Sequence, residues 1–516
     1  MTNSADWLFP YGFFLINNTE KIVDNKLFEN WDKVSFNNYY LYVHKPQTYF
    51  LCENKSLSAL LVGHAYNPFT MEKDETVILQ NLLEKYPDKD VFYDYLDEIS
   101  GAYFLAIFDN CNVVAYSDCA QMYGGYYYSG DGVISFSSHY EIIGEALKLS
   151  RNAYVDRIKK SRTWHLYGLY LPGDISPFCG VKRVVPNIEV RVNEKSVELF
   201  RFYPRKEYKE ASEDEYPEIV KKSGEILNNS MVLISQKWKN PAVSLTGGTD
   251  SKTTLASAYG VQDKFKYFSY VSLLRELTDA IAAKDICKAL GLEHKIFNID
   301  TDNKDTDEFS EMKDIIVRNY GYIGFPNNND VSKRIALSKL FHYDIEVKSW
   351  VSEIARASRY VKYRKNKFKN KITPRELTSM YKIFLFNRID AVKTDKIFKD
   401  YITNTDMENK IIKNKYPWTE FFVWETVFGS WGSLALTCEH MTSFNITVPY
   451  NNRALIDLML HAPLYKRKND ALHNDIIKLC DKRIDDLNIV VVNGNETDFR
   501  ALCERLYYDI NSNICF

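Results

Sequence analysis

The stretch Pro241-Ala-Val-Ser-Leu-Thr-Gly-Gly-Thr-Asp-Ser-Lys252 decides the fold. Val243 to Leu245 read as the end of a buried strand, Thr246 to Ser251 as a loop, and Lys252 to Tyr259 as the first turns of a helix. A strand, a glycine turn and a helix N-terminus together make an anion site. Glycine lets the backbone approach a phosphate, and unpaired helix N–H groups point at it. The hydroxyls of Thr246, Thr249 and Ser251 add donors, and Asp250 is placed to hold a magnesium ion between phosphates. The spacing is not that of a Walker A loop, which has four residues between its glycines and then Gly-Lys-Ser/Thr. The same letters also fit an ordinary glycine turn between strand and helix.

Downstream, the pattern alternates. Lys266 to Val271 reads as a strand, Thr278 to Leu290 as a helix stopped by Gly291, and Lys295 to Ile299 as the next strand. Alternation of this kind predicts a doubly wound parallel sheet with ligands at the carboxyl ends of its strands. Glu276 and Asp279 fall at the start of that helix, where acids serve either a ligand or the helix terminus itself. Tyr343 to Arg356 reads as strand, turn and helix, and Trp418 to Cys438 as one long helix.

Upstream, residues 206–240 form a charged linker and an amphipathic helix with Ile219, Ile226, Leu227, Met231 and Leu233 on its apolar positions. Residues 1–205 are strand-rich. Tyr11–Ile16, Tyr39–Val43, Ala102–Phe108, Val113–Tyr116 and Gly125–Tyr128 are short aromatic or β-branched runs bounded by turn residues, with helical patterns at Val77–Lys85 and Tyr140–Lys148. The fold class expected is α/β: an α+β domain of stacked sheets over 1–205, then a parallel-sheet domain over 206–516 with a helical C-terminal part.

The 516 residues suffice for roughly two to four domains. A net charge of -2 gives no global field for nucleic acid or acidic membranes. The nine cysteines are dispersed and contain no C-x-x-C pair, which excludes a zinc or thioredoxin-like motif and predicts reduced thiols in a cytoplasmic protein. No apolar run approaches the roughly 20 residues of a membrane span, and the N-terminal residues lack the basic region of a signal peptide.

The hexapeptide Thr246–Ser251 resembles the S-G-G-x-D-S pyrophosphate loop of the ATP pyrophosphatases, with threonine in place of the first serine. The run F-S-Y … E-x-x-D-A-x-x-A-x-x-I-x-x-x-L-G-L-x-H, through His294, is similar to the second unit of asparagine synthetase. Glu98 to Asp109 looks like the L-x-G-x-F-A-x-x-x-Y-D strand of class II glutamine amidotransferase domains, which have the Ntn-hydrolase fold. Ser117-Asp118, Gly124 to Tyr127 and Ser135 to Ser138 follow in that fold's order, and Val181–Pro186 with Val190–Val192 resembles its closing hairpin.

The resemblance implies an asparagine synthetase-like ligase, related to beta-lactam synthetases and lasso peptide cyclases, that uses ATP and Mg2+ to adenylate a small-molecule or peptide carboxylate. It assigns Thr246, Gly247, Gly248, Thr249, Asp250 and Ser251 to ATP, and Glu276 and Asp279 to substrate. It assigns Asp250 and Glu353 to the metal, and Glu353 and Lys468 to catalysis.

The chain departs from the family pattern in three places. The amidotransferase cysteine that should open the first strand is absent, which leaves only Thr2, several residues ahead of that strand, as an N-terminal nucleophile. Val347 and Lys348 replace the Ser-Gly expected to cradle adenosine, and Ser352 replaces an acid expected to bind metal. No lysine stands where the family neutralises the transition state; Lys466, Arg467 and Lys468 are the nearest cations, and His473 lies near that register. Two other readings stay open. One is a nucleotide-binding protein without turnover. The other is an RNA-modifying enzyme, suggested by the basic run from Arg356 to Lys371, which as a solvated helix face needs no ligand.

Overall fold

A computed structural model describes residues 7–54, 56–109, 112–161, 164, 170–302, 304–323, 327–340, 343–381, 388–489 and 498–512. Thr2, Cys111 and Cys515 lie outside the described residues; the seven other cysteines are free thiols.

The described residues form two antiparallel six-stranded sheets and one parallel five-stranded sheet, followed by helices. The first antiparallel sheet runs Lys182–Arg183, Tyr126–Gly130, Val133–Ser137, Phe13–Ile16, Tyr39–His44, Trp31–Phe36. The second runs Val197–Arg201, Ile188–Val192, Asn112–Ser117, Ser100–Asp109, Leu57–Tyr66, Tyr49–Glu53. Aromatic rings bridge the two faces: Phe13 lies 4.8 Å from Phe104, and Phe36 lies 5.2 Å from Phe108. Helix Glu75–Lys85 covers the outer side of Leu57–Tyr66, and Tyr140–Ala146 packs on Val133–Ser137. Ser100–Asp109 is consequently buried along almost its whole length, as a strand covered on both faces must be, so its run is continuously apolar instead of alternating.

Two sequence expectations change in this half. Lys182–Arg183 and Ile188–Val192 do not pair as a hairpin; the first joins Tyr126–Tyr127 in one sheet, and the second lies between Val113–Ala115 and Val197–Arg201 in the other. Between them stand Pro186, which has no N–H to donate to a ladder, and Asn187 at φ 69°, so the chain leaves one sheet and enters the other. Trp31–Phe36, Tyr49–Glu53 and Leu57–Tyr66 are strands that the pattern did not single out.

The amphipathic helix spans Tyr216–Lys237, with Ile219, Ile226, Leu227, Met231 and Leu233 all buried. It leads into the parallel sheet, whose order is His294–Asn298, Lys266–Val271, Pro241–Ser244, Ile345–Val347, Ile446–Thr447. In chain order that is third, second, first, fourth, fifth. The winding direction therefore reverses beside Pro241–Ser244, and a crevice opens at the carboxyl end of that strand. The segment after Ile345–Val347 is not the helix expected up to Arg356. It is a 3-10 turn, Ser352–Ala355, entered through Val351 at φ 80° and left through Ala357 at φ 50°. The expected helix Trp418–Cys438 is likewise not regular: after one α turn it widens into π-helical turns over Phe422–Gly432 and Ala435–Glu439.

Buried polar contacts lock the two halves together. Asn451 Nδ2 donates to Asp118 Oδ1 at 2.7 Å and to the Gly101 carbonyl at 2.6 Å, while its Oδ1 accepts from Ala120 N at 2.8 Å. Arg453 donates to Asp97 at 3.0 Å. Arg201 donates to both oxygens of Glu425, at 2.5 and 2.9 Å, with both side chains sealed from solvent. Among the described residues no helix is long and apolar enough to cross a membrane.

Candidate functional site at the reversal of the parallel sheet

A cavity of about 370 Å3 opens at the reversal point. Thr246, Gly248, Asp250 and Ser251 from the loop, Glu276 and Asp279 from the second unit, and Glu353 all line it, so most residues singled out in the sequence meet in one place.

The loop is tied internally. Thr246 Oγ1 and Ser251 Oγ are 2.9 Å apart, and Gly248 N donates to Thr246 Oγ1 at 3.3 Å. Helix Thr249–Ser257 starts at Gly248, and among the described residues no side chain caps its first turn, which leaves those N–H groups for a ligand or water. Gly248 has φ -70°, a conformation open to any residue. A Cβ built on it meets only Thr246 Oγ1, at 3.3 Å. Backbone strain therefore does not call for glycine at this position; a Cβ would press on Thr246 Oγ1, and glycine is a better helix N-cap than alanine.

Asp250 projects from the helix start into a charged cluster. Its Oδ1 accepts from Ser352 Oγ at 2.6 Å and its Oδ2 from Arg356 at 2.5 Å. Arg356 also grips Asp470 with two bonds, of 2.9 and 2.6 Å. His473 Nε2 stands 3.8 Å from Asp250 Oδ1, makes no hydrogen bond and is fully buried, and burial holds its ring below the usual histidine range against the pull of Asp250. Burial, with the charge of Asp250 added, pushes the Glu353 carboxyl up to about 7, and Glu353 Oε2 has no partner. A divalent cation does not fit these residues as they stand. Both oxygens of Asp250 are engaged, and Glu353 is held toward its neutral form. Among the described residues no group of three or more His, Cys, Asp or Glu is arranged to hold a metal.

On the opposite wall, Glu276 closes the start of helix Leu274–Ala289. Its Oε2 accepts from Ser272 N at 2.8 Å and Leu273 N at 3.2 Å, and its Oε1 from Lys333 Nζ at 2.7 Å. Burial works against the Glu276 charge, but Lys333 and the Ser272 donors outweigh it and hold the carboxyl below its usual range. Burial raises the Asp279 carboxyl, opposed by the Gly247 N–H.

Sequence reasoning missed Lys333 and took Lys348 only as a departure from the family pattern; both line the cavity although nearly buried, and Lys348 Nζ donates to Glu346 at 2.6 Å. Lys348 was detectable by its position just past a strand of the parallel sheet, whereas no local signal marks Lys333. Trp350, stacked on Trp431 at 5.5 Å, adds an aromatic wall.

Lys468 is not brought to the site. It donates to the Lys365 carbonyl and Asn366 Oδ1, at 3.4 and 3.2 Å, because the turn before it faces the basic run. Arg467 is buried against Glu420 at 2.8 Å. The basic run is itself partly neutralised, through Arg356 with Asp250 and Asp470, Lys362 with Glu504, and Lys365 with Asp509. That weighs against a nucleic-acid surface.

No family model matches the chain, and no curated protein matches it. Among solved structures it is similar to an allosteric regulatory enzyme of purine biosynthesis, with 11% identity over 51% of this chain and 59% of that one and a TM-score of 0.23. It is also similar to the glutamine phosphoribosylpyrophosphate amidotransferase of B. subtilis complexed with ADP and GMP, with 9% identity over 68% and 71% of the two chains and a TM-score of 0.22. The chain spans about three fifths of the first of these. At such scores neither likeness adds to what the order of the strands shows.

Proposed function

We propose that the cavity binds ATP and that the chain is a carbon–nitrogen ligase that forms AMP and pyrophosphate. A carboxylate oxygen attacks the α-phosphorus and pyrophosphate leaves. An amine then attacks the acyl carbon and AMP leaves. The observation that carries the reading is the helix N-terminus at Gly248, which no side chain among the described residues caps and which lines the cavity. Lys333 and Lys348 line the cavity but are paired with Glu276 and Glu346, so the acceptor class, a small-molecule or peptide carboxylate, rests on the resemblance in sequence.

The first half has no glutaminase site in this reading. Residues 7–12, which precede the first strand, include no cysteine, and a Cβ on Gly12 would meet the Phe9 carbonyl at 2.7 Å and the Trp31 ring at 2.8 Å. The amine then comes as ammonia or as part of the acceptor.

A second reading, nucleotide binding without turnover, is favoured by the distance of Lys468 from the cavity and by the Arg356–Asp250 pair. Incubation of the protein with ATP and a panel of carboxylates, with separation of the nucleotide products, tests both. AMP with pyrophosphate supports the ligase, ADP with phosphate overturns it, and tight ATP binding with no product leaves the second reading.

A further inference from the structure

We infer that Arg356 stands at Asp250 in the place of a metal ion, so that the countercharge of this site is built into the chain. Asp250 is the loop acid expected to anchor a divalent cation between phosphates. A magnesium ion needs open carboxylate oxygens and keeps several waters. Here the Oδ2 of Asp250 carries the Arg356 guanidinium at 2.5 Å, and Oδ1 carries the Ser352 hydroxyl at 2.6 Å.

Arg356 is held from both sides. Asp470 binds it through two bonds and sits at φ 60°, and Ala357, the residue after Arg356, sits at φ 50°. Such left-handed conformations cost non-glycine residues free energy and persist only where surrounding contacts fix them. Ala357 is fully buried, as is Val351, at φ 80° on the other side of the 3-10 turn. The turn is thus shaped to present Arg356 to Asp250. A guanidinium carries five N–H donors. Three are engaged with Asp250 and Asp470, which leaves two donors of the kind that recognise phosphate.

Removal of the guanidinium would free the two carboxylates it bridges, Asp250 and Asp470, and carboxylate oxygens are the donors a hard cation takes. The first test uses Mn2+ alone and no nucleotide, so it is independent of the ATP proposal. Electron paramagnetic resonance should detect no bound Mn2+ in the wild-type chain and one site in Arg356→Gln. That site should vanish in Arg356→Gln/Asp250→Asn. A wild-type Mn2+ site lost in Asp250→Asn alone overturns the inference, and this arm needs no Arg356 variant to fold. So does a folded Arg356→Gln that gains no site.

The second test rests on the proposed ATP site. Calorimetric ATP affinity should change less than threefold between EDTA and excess Mg2+ in the wild type and more than tenfold in Arg356→Gln. Wild-type affinity that collapses in EDTA overturns the inference while leaving ATP binding intact. Absence of ATP binding in either buffer counts against the proposed function, and the Mn2+ result then decides the inference.

Discussion

Gly248→Ala separates a ligand-driven glycine from a structural one. The added methyl group meets one protein atom, Thr246 Oγ1, at 3.3 Å, and φ -70° suits alanine. The fold loses little. Alanine is a poorer residue than glycine at a helix N-cap, by about 0.5–1 kcal/mol. A nucleotide loses more, because the methyl group keeps a phosphate oxygen from the N–H groups of the first turn. One hydrogen bond to a charged group contributes about 1.5–3 kcal/mol. At 1.4 kcal/mol per decade, losing one such bond weakens ATP binding about 10- to 150-fold. Isothermal titration with ATP gives the affinity, and thermal unfolding without ligand gives the cost to the fold. An unchanged Kd in a folded variant would refute the anion site and return the loop to an ordinary turn. A large drop in Tm would show instead that glycine serves the fold.

Glu425→Ala should destabilise the protein by about 3–5 kcal/mol in urea unfolding, because Arg201 is left buried with its charge uncompensated. Arg201→Met with Glu425→Leu should recover much of that loss, and a single Glu425→Ala costing under 1 kcal/mol would show the pair to be hydrated. Glu353 titrates near 7 in the folded chain against an ordinary 4.5. A raised carboxyl stabilises the fold fully below the unfolded value and loses that contribution as pH rises through the folded one. Thermal stability should therefore decline from pH 5 to pH 8 more steeply in the wild type than in Glu353→Gln; parallel profiles would refute the assignment. Incubation with glutamine should release no glutamate above background, and robust release abolished by Thr2→Ala would restore the N-terminal threonine as a nucleophile.

The parallel sheet was readable because its signals are local. Lys266–Val271 appears with the bounds expected, and Gly291, at φ 71°, ends the helix before it reaches the next strand. The loop was found by its local pattern and Glu276, Asp279 and Glu353 by resemblance to a family, and all of these but Gly247 and Thr249 line one cavity. What escaped depends on distance along the chain. Arg356 acquires its partner 114 residues later at Asp470, and Lys333 reaches Glu276 across 57. Leu57–Tyr66 escaped for another reason: its Leu-Ser-Ala-Leu-Leu run carries helix formers and lacks the aromatic residues that marked Ala102–Phe108. Lys468 was placed by counting from a family pattern, and a register carried over that way does not fix which side of a turn faces the site.

The turn Asn451-Asn452-Arg453 bears on how the chain can be divided. Its polar atoms end on Asp118, Gly101, Glu98, Ser100, Asp97 and Asn187, all from the other half, in the dry interior. A fragment beginning at residue 206 would carry this turn with every one of those partners missing, together with Glu425 stripped of Arg201. The sheet that bears the Thr246–Ser251 loop would thus be born with a wet wound where it expects a neighbour. Genetic dissection at the apparent boundary should give insoluble pieces, and co-expression of both should rescue them by non-covalent reassembly. The first half, whatever chemistry it lacks, serves the second as a mould.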